Sequence, residues 1–189
     1  MNKKRIVITG GPGTGKTVLI SSLEEKGFYC FHEVIRTMTL AALDNKPFKE
    51  ERVNPIAFVN DSKSFNDQLL MARLQHFKEG EKVNRNHLFY DRGLPDVIAY
   101  MDYFNQSYDQ DYIDICRANR YDDVLLLPPW KAIYVQDNER LENFEQAQAI
   151  HQQLENTYTQ LGYTPVQVPF GTIAERLQFV TDFIVGSGE

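Results

Sequence analysis

Eight residues at positions 10–17, GGPGTGKT, constrain the fold of this chain more than any other segment. Four glycines and a proline make the segment a poor helix and a poor strand. An apolar run, 5–9, precedes it, and an amphipathic pattern follows it and closes at Gly27. The segment is therefore predicted to be a loop that joins the first strand to the first helix.

The glycine loop matches G-x-x-x-x-G-K-[ST], a pattern that binds nucleotide phosphates. Glycines allow successive backbone N–H groups to point at one anion, and the positive end of the next helix adds to the attraction. Lys16 supplies a charge for the outer phosphates, and Thr17 supplies a hydroxyl for Mg²⁺. A glycine turn without a ligand is the alternative, but the strand-loop-helix context favours nucleotide binding. The predicted nucleotide-binding residues are Gly10, Gly11, Pro12, Gly13, Thr14, Gly15, Lys16, Thr17 and Val18.

The rest of the chain alternates short apolar runs with longer helical patterns, which is typical of an α/β domain with a parallel sheet. The further runs predicted as strands are 28–31, 87–91, 124–127 and 164–169. The helical pattern before the third strand begins at Asn54 and Pro55 and is predicted to end at Gly80. A length of 189 residues suits a single domain, with an irregular, lid-like segment at about 129–143 after the fourth strand.

The composition of the chain excludes several classes of partner and location. The formal net charge is −6, and the chain has no basic run, which argues against a nucleic-acid partner. Two distant cysteines, Cys30 and Cys116, form neither a disulfide framework nor a metal-site spacing. No apolar stretch reaches membrane-spanning length, and no signal peptide is recognisable, so a cytoplasmic location is expected.

Charged residues follow two of the predicted strands, where ligands collect in parallel α/β sheets. Asp91 and Arg92 follow the third strand, and an acid in this place commonly holds hydrated Mg²⁺. Arg92 is a candidate contact for an anionic substrate group. Glu33 follows the second strand. It is either a catalytic base or an indirect partner of Mg²⁺, or else an exposed helix-start acid that pairs with Arg36. Asp96 is interpreted as a structural acid at the positive end of a helix.

The segments after the fourth and fifth strands are less informative. A phosphotransferase needs a cover that excludes water and brings a cation over the transferred phosphate, and Arg140 is the candidate in the lid. Trp130 either lines a substrate pocket or packs half-buried. Phe170 and Ile173 are candidates for packing against a nucleotide base, on position alone.

Several segments together resemble a known family. These are KRIVITGGPGTGKT, HEVIR, FYDRGLPDVIAY, LLLPPW, a long helical segment from NERLEN to QLGY, and VPFGTIAERLQFV. They resemble the AAA-labelled "predicted ATPase" family, which is similar to the ribosylnicotinamide kinase domain of the bacterial NAD regulator NadR. The resemblance covers nearly the whole chain. DRGLPD and PPW are more specific than the glycine loop, which many families share.

The resemblance implies a three-layer P-loop fold with a five-stranded parallel sheet of nucleotide-kinase-like order and a lid after strand four. It also implies a base at Glu33 and a pair serving metal and acceptor at Asp91 and Arg92. The predicted catalytic residues are Lys16, Glu33, Asp91, Arg92 and Arg140, and the predicted metal-binding residues are Thr17 and Asp91. The expected cofactors are ATP, with GTP as an alternative, and Mg²⁺.

Three functions are compatible with these residues. The favoured one is a small-molecule kinase that transfers the γ-phosphate of ATP to an unidentified nucleoside-like or other hydroxyl or phosphate acceptor. The alternative is a nucleotide-dependent switch or binding module whose slow hydrolysis reshapes the lid for a protein partner. A nucleic-acid-associated ATPase is disfavoured by the acidic composition.

Overall fold

Five parallel strands form a single sheet in the part of the chain that the computed structural model describes, residues 3–35, 62–133 and 143–186. Their spatial order is β2-β3-β1-β4-β5. The strands are β1 (Lys4–Gly10), β2 (Tyr29–Phe31), β3 (His87–Asp91), β4 (Asp123–Leu127) and β5 (Val166–Gln167). The predicted α/β class with a five-stranded parallel sheet is confirmed.

Helices cover both faces of this sheet. Within the described ranges they are α1 (Lys16–Glu25), α2 (Ser62–Lys82), α3 (Pro95–Tyr103), α4 (Gln110–Ala118), α5 (Phe144–Gln160) and α6 (Ile173–Gly186). Along β1 the side chains alternate between two cores, as the period of a strand requires. Ile6 and Ile8 pack in the core with α1 and α6, whereas Val7 packs in the core with α2 to α5. The three-layer prediction is confirmed, and none of the described helices is long and apolar enough to cross a membrane.

Two element boundaries differ from the sequence prediction. Helix α2 continues through Gly80 to Lys82. Gly80 lies against the phenol of Tyr90, and a Cβ there would collide with the Tyr90 hydroxyl. The glycine thus serves a close approach and does not end the helix. Strand β5 is limited to Val166–Gln167, shorter than the predicted 164–169. Pro165, which cannot donate to a strand ladder, directly precedes this pair. After the pair, the N–H of Val168 still donates to the carbonyl oxygen of Leu126 at 2.9 Å. The predicted helix start at Asn54 and Pro55 lies outside the described residues.

The topology places the ends of three strands side by side. β1 pairs with β3 so that Ile8 lies opposite Asp91, and β1 pairs with β4 so that Gly10 lies opposite Leu127. The glycine loop leaves the central strand β1 at this edge. Glu33 follows β2, which borders β3. The sheet therefore brings the loop and the acids after β2 and β3 to one edge.

Candidate nucleotide-binding and phosphoryl-transfer site

The loop after β1 opens directly into helix α1. The residue before the helix is Gly15, whose φ of 87° lies in the left-handed region that glycine tolerates best. No side chain caps the helix start. The backbone N–H groups of the first turn are the ones that an anion at a helix N-terminus would engage. The loop thus ends at an uncapped helix N-terminus, and phosphate binding by residues 10–17 stays a prediction.

Lys16 folds back over its own loop. Its Nζ donates to the carbonyl oxygens of Gly10 and Gly11, at 2.7 Å each, and to Oγ1 of Thr14 at 3.3 Å. Burial, followed by the charge of Arg92, lowers the pKa of Lys16, while the charges of Asp91 and Glu33 act in the opposite direction. The ammonium group is thus largely removed from water and lies within electrostatic reach of the predicted site residues.

The glycine loop is clamped from two sides. A Cβ at Gly11 would lie 3.0 Å from the carbonyl oxygen of Ala147, so α5 packs tightly against the loop backbone. On the other side, Arg176 donates from Nη1 to the carbonyl oxygen of Thr14 at 2.7 Å. A Cβ at Gly15 would come within 3.2 Å of the same Arg176 nitrogen. The loop conformation is therefore supported by α5 and α6 as well as by its own glycines.

Arg176 also connects the loop to an aromatic pair. Its guanidinium carbon lies 5.3 Å from the centroid of the Trp130 ring, and the rings of Trp130 and Phe170 lie 5.6 Å apart. Arg176 is fully buried, whereas Phe170 is 56% exposed. The segments after β4 and β5 thus meet beside the phosphate loop. Base packing by Phe170 and Ile173 stays a prediction.

Glu33 is held by two arginines. One carboxylate oxygen accepts from Nη2 of Arg73 at 3.0 Å, and the other pairs with Nε of Arg92. All three side chains are largely buried, and Arg73 also donates to the carbonyl oxygen of Gly93 at 3.1 Å. Glu33 is therefore not the exposed acid of the alternative interpretation. Its carboxylate is fixed at the edge of the sheet that carries the glycine loop.

Arg92 adopts an uncommon backbone conformation. Its φ of 72° lies in the left-handed region, which is sparsely populated by residues other than glycine. Its backbone N–H donates to the carbonyl oxygen of Ile8 at 3.1 Å, and its guanidinium packs on the ring of Tyr100 at 5.1 Å. Backbone strain of this kind is a common feature of functional sites.

Asp91 is buried and only partly satisfied. Its exposed fraction is 7%, and its Oδ1 atom has no hydrogen-bond partner among the described residues. Burial, followed by the charge of Glu33, raises the pKa of Asp91, although Lys16 and Arg92 act in the opposite direction. A bound cation would favour the ionised form, so this acid has the chemistry of a metal partner.

Asp96, five residues further on, is fully buried and fully engaged. Its two oxygens accept hydrogen bonds from four groups, the hydroxyls of Thr9 and Tyr158, the backbone N–H of Gly93 and the guanidinium of Arg92. Burial alone would raise the pKa of Asp96, but the charges of Arg73 and Arg92 and the hydrogen bonds from Thr9 and Tyr158 outweigh it and lower the pKa. The contacts extend well beyond the helix-end role that the sequence predicted.

The other predicted residues are placed as follows. Thr17 lies in the first turn of α1, next to Val18, which is 53% exposed. Arg36, Arg140 and residues 134–142 of the predicted lid lie outside the described residues. The lid prediction therefore stays a prediction.

Sequence reasoning missed Arg73 and Arg176. Both lie on the buried stripe of an amphipathic helix, at the spacing of four residues that defines one face. Arg73 sits between Leu69 and Phe77 on α2, and Arg176 precedes Val180 on α6. A cation on a core-facing stripe must find partners, because an unpaired buried charge is costly. An arginine on the apolar stripe of a predicted helix was therefore the sequence signal that could have identified both residues.

The strand order and the loop define a class: a P-loop fold of the nucleotide kinase type. The family follows from the sequence match, which covers residues 5–176 with the model of an AAA domain family, and the chain belongs to that family. Two curated relatives from Geobacillus thermodenitrificans and Geobacillus kaustophilus are named nucleotide-binding proteins. Each is 35% identical over 96 residues, which span 50% of this chain and 32% of the relative. The match therefore covers about a third of the length of these relatives.

Solved structures with this fold include three kinds of protein. A deoxyadenosine kinase from M. mycoides matches with a TM-score of 0.64 and 17% identity, covering 96% of this chain and 99% of the kinase. The NadR protein in complex with NAD and AMP-PNP matches with a TM-score of 0.67 and 14% identity, covering 99% of this chain and 50% of NadR. Thymidylate kinase from Candida albicans matches with a TM-score of 0.67 and 17% identity, covering 99% of this chain and 93% of the kinase. At these identities the likeness establishes the fold.

Proposed function

We propose that this protein is a Mg²⁺-dependent kinase that transfers the γ-phosphate of ATP to a nucleoside-like or other small hydroxyl or phosphate acceptor. The observation that carries the proposal is the fixed carboxylate of Glu33. It is held by Arg73 and Arg92 at the edge of the sheet where Lys16 and Asp91 lie. A nucleotide-binding module needs the glycine loop, whereas a buried acid–arginine cluster beside it is what transfer to an acceptor requires.

The nucleotide would lie along the glycine loop and the first turn of α1. The backbone N–H groups after Gly13 would bind the phosphates, and Lys16 would exchange its contacts with the loop carbonyls for phosphate oxygens. GTP fits the same phosphate site. The base would pack near Trp130 and Phe170, beside Arg176.

The residues present fit Mg²⁺. Asp91 offers a buried oxygen without a protein partner, and its raised pKa marks an acid whose charge the described residues do not fully balance. Thr17 stands at the position of the loop motif that supplies a hydroxyl ligand. Mg²⁺ bound by these residues would neutralise charge that develops between the β- and γ-phosphates.

The transfer itself is assigned to Glu33 and the arginines. For a hydroxyl acceptor, the Glu33 carboxylate takes the hydroxyl proton while the acceptor oxygen bonds to the γ-phosphorus. The bond from that phosphorus to the β,γ-bridging oxygen breaks, and ADP leaves. Arg92 stabilises the negative charge of the transferred group, and Arg140 of the proposed lid adds a second cation. A phosphate acceptor is already ionised and needs no proton transfer.

Solved structures with the same fold support this assignment. A deoxyadenosine kinase and a thymidylate kinase share the fold, and one NadR structure contains the ATP analogue AMP-PNP. These proteins support a nucleoside-like acceptor for this chain. We also propose that residues 1–189 form one domain with the lid at about 129–143.

The proposal is tested by measuring ADP release from Mg²⁺-ATP with a panel of nucleosides, nucleotides and vitamin-like alcohols. We expect at least one acceptor to raise the rate above the basal hydrolysis rate. Glu33→Gln should lower the acceptor-dependent rate by roughly 10²–10⁴-fold for a hydroxyl acceptor, because it removes the base. The control is Glu81→Gln, which changes an exposed carboxylate at the end of α2 and should leave the rate unchanged.

Two outcomes would contradict the kinase assignment. One is that no acceptor raises ADP release, and the other is that Glu33→Gln turns over like the control. Tight nucleotide binding with slow, acceptor-independent hydrolysis would favour the nucleotide-dependent switch instead. The curated relatives are named only for nucleotide binding, so this alternative is checked in the same assay.

A further inference from the structure

One acid in the site has no role in the proposed chemistry, yet it has more partners than any of the proposed catalytic acids. Asp96 is 0% exposed, and its oxygens accept from Oγ1 of Thr9 and the hydroxyl of Tyr158, at 2.5 Å each. They also accept from the backbone N–H of Gly93 at 2.9 Å and from Nη1 of Arg92 at 3.3 Å. Of these donors, only Arg92 belongs to the proposed machinery.

The other donors come from different parts of the fold. Thr9 lies near the end of β1, one residue before the glycine loop starts. Tyr158 lies in the last turn of α5, the helix whose earlier residue Ala147 packs against Gly11. The carboxylate therefore joins the strand that bears the loop, and the helix that clamps the loop, to the Arg92 guanidinium.

The guanidinium of Arg92 needs such an anchor. The backbone of Arg92 lies in the left-handed region, at a φ of 72°, so its side chain leaves the backbone in a different direction from that of a residue at an ordinary strand end or helix start. Its Nε pairs with Glu33, which is the proposed base, and its Nη1 pairs with Asp96. An arginine fork held by two carboxylates has its plane fixed, whereas one held by a single carboxylate can rotate about that contact.

We propose that Asp96 is a positioning residue that orients Arg92, and that the hydroxyls of Thr9 and Tyr158 fix the carboxylate for that purpose. The inference rests on the proposed function for the role of Arg92, but the orientation itself is a structural statement. Loss of either hydroxyl should loosen Arg92 without removing any group that touches the nucleotide. Catalysis is sensitive to displacements of this size, because electrostatic stabilisation depends on preorganised geometry.

The first test reads Arg92 directly and needs no activity. In protein labelled with ¹⁵N, the Nε–H resonance of Arg92 is compared in the wild type, Thr9→Val, Thr9→Ser and Tyr158→Phe. Thr9→Val and Tyr158→Phe should shift or broaden it, and Thr9→Ser, which keeps the hydroxyl, should restore the wild-type signal. The exposed Arg117 is the internal reference.

A matched control separates this effect from general loosening. Tyr112→Phe removes another phenol that donates to a carboxylate, Asp67, at 2.5 Å, and Tyr112 is also buried. It should lower the melting temperature and leave the Arg92 resonance in place. An Arg92 resonance that is unchanged in both Thr9→Val and Tyr158→Phe would overturn the proposal, whatever the enzymatic activity proves to be.

The second test uses turnover once an acceptor has been found. Thr9→Val and Tyr158→Phe should lower kcat by about tenfold and change the KM for ATP less than about twofold, because the groups that bind the phosphates are intact. A lower melting temperature with unchanged kcat would mean that the network only stabilises the fold, and that would overturn the proposal. If no acceptor is found, the kinase assignment fails, while the resonance still decides the role of Asp96.

Discussion

Two carboxylates in the segment DRGLPD, five residues apart, were given opposite environments by the fold. Asp91 is buried with one oxygen that has no hydrogen-bond partner among the described residues, and its pKa is raised. Asp96 is buried with four donors, and its pKa is lowered. Burial acts on both in the same direction, so the difference lies in the partners each acid has.

We interpret the contrast as one between an acid that supports the fold and an acid that is proposed to bind a cation. A fully satisfied carboxylate stabilises the structure around it, whereas an unsatisfied buried one costs stability unless a cation arrives. The fold tolerates that cost at Asp91, at the edge of the sheet beside Lys16. We interpret this as a trade of stability for function, as in other functional sites.

The largest effect is expected at the satisfied acid. Asp96→Asn should lower the free energy of unfolding by roughly 3–5 kcal/mol, because it removes one partner from a buried charge network. Urea unfolding followed by circular dichroism measures the change. A loss below about 1 kcal/mol would mean that the four contacts contribute little.

The unsatisfied acid should respond in the opposite way. Asp91→Asn should leave the free energy of unfolding unchanged or raise it at pH 7, since the ionised side chain is disfavoured there. For a chain of this size each 1 kcal/mol corresponds to roughly 2–4 °C in melting temperature. The same change should weaken Mg²⁺ binding and raise the Mg²⁺ concentration that gives half-maximal turnover by roughly 10–100-fold. A variant that unfolds more easily and keeps its Mg²⁺ dependence would break the comparison.

The pH dependence of unfolding sharpens the contrast further. The raised pKa of Asp91 means that its favourable contribution is present below the usual value of 3.8 and is lost as pH rises through the folded pKa. The lowered pKa of Asp96 means that its contribution is present above 3.8 and is lost as pH falls through the folded pKa. The advantage of Asp91→Asn should therefore vanish on acidification before the deficit of Asp96→Asn does. Melting temperatures of both variants between about pH 3 and pH 8 decide this.

The smallest effect is expected at an exposed acid, which provides the reference for both. Asp109 pairs with Lys63 at 2.9 Å, and both side chains are more than 60% exposed. Asp109→Asn should leave the urea midpoint within the error of the measurement, because exposed ion pairs contribute little to stability. A clear loss of stability in Asp109→Asn would show that the changes in unfolding free energy at Asp91 and Asp96 do not arise from their burial.

The strands and the glycine loop could be predicted from the sequence. Strand β3 was predicted with its observed bounds, 87–91, because a run of apolar residues buried on both faces is hard to mistake next to turn residues. The glycine loop was recognisable because its pattern sits between a strand and a helix. Glu33, Asp91 and Arg92 were singled out because strand ends in a parallel sheet are where ligands collect, and the structure brings the three residues together.

The sequence was insufficient for contacts between distant segments. One interpretation of the sequence paired Glu33 with Arg36, which is three residues away. The structure instead pairs Glu33 with Arg73, which is 40 residues away, and with Arg92. Asp96 looked like a local helix acid because its partner Tyr158 is 62 residues away. Gly80 was taken as a helix end because the ring of Tyr90 above it belongs to another element. Local pattern carries no information on which side chains meet across the core.

The contact of Lys16 with its own loop has a consequence for how a nucleotide enters. The ammonium group donates to the carbonyl oxygens of Gly10 and Gly11, and Lys16 is only 9% exposed, so folding removes most of its contact with water. In the proposed function, a polyphosphate would have to displace two neutral peptide oxygens from this ammonium group. We therefore expect triphosphates to compete for Lys16 better than monophosphates, because a longer anionic tail carries more charge.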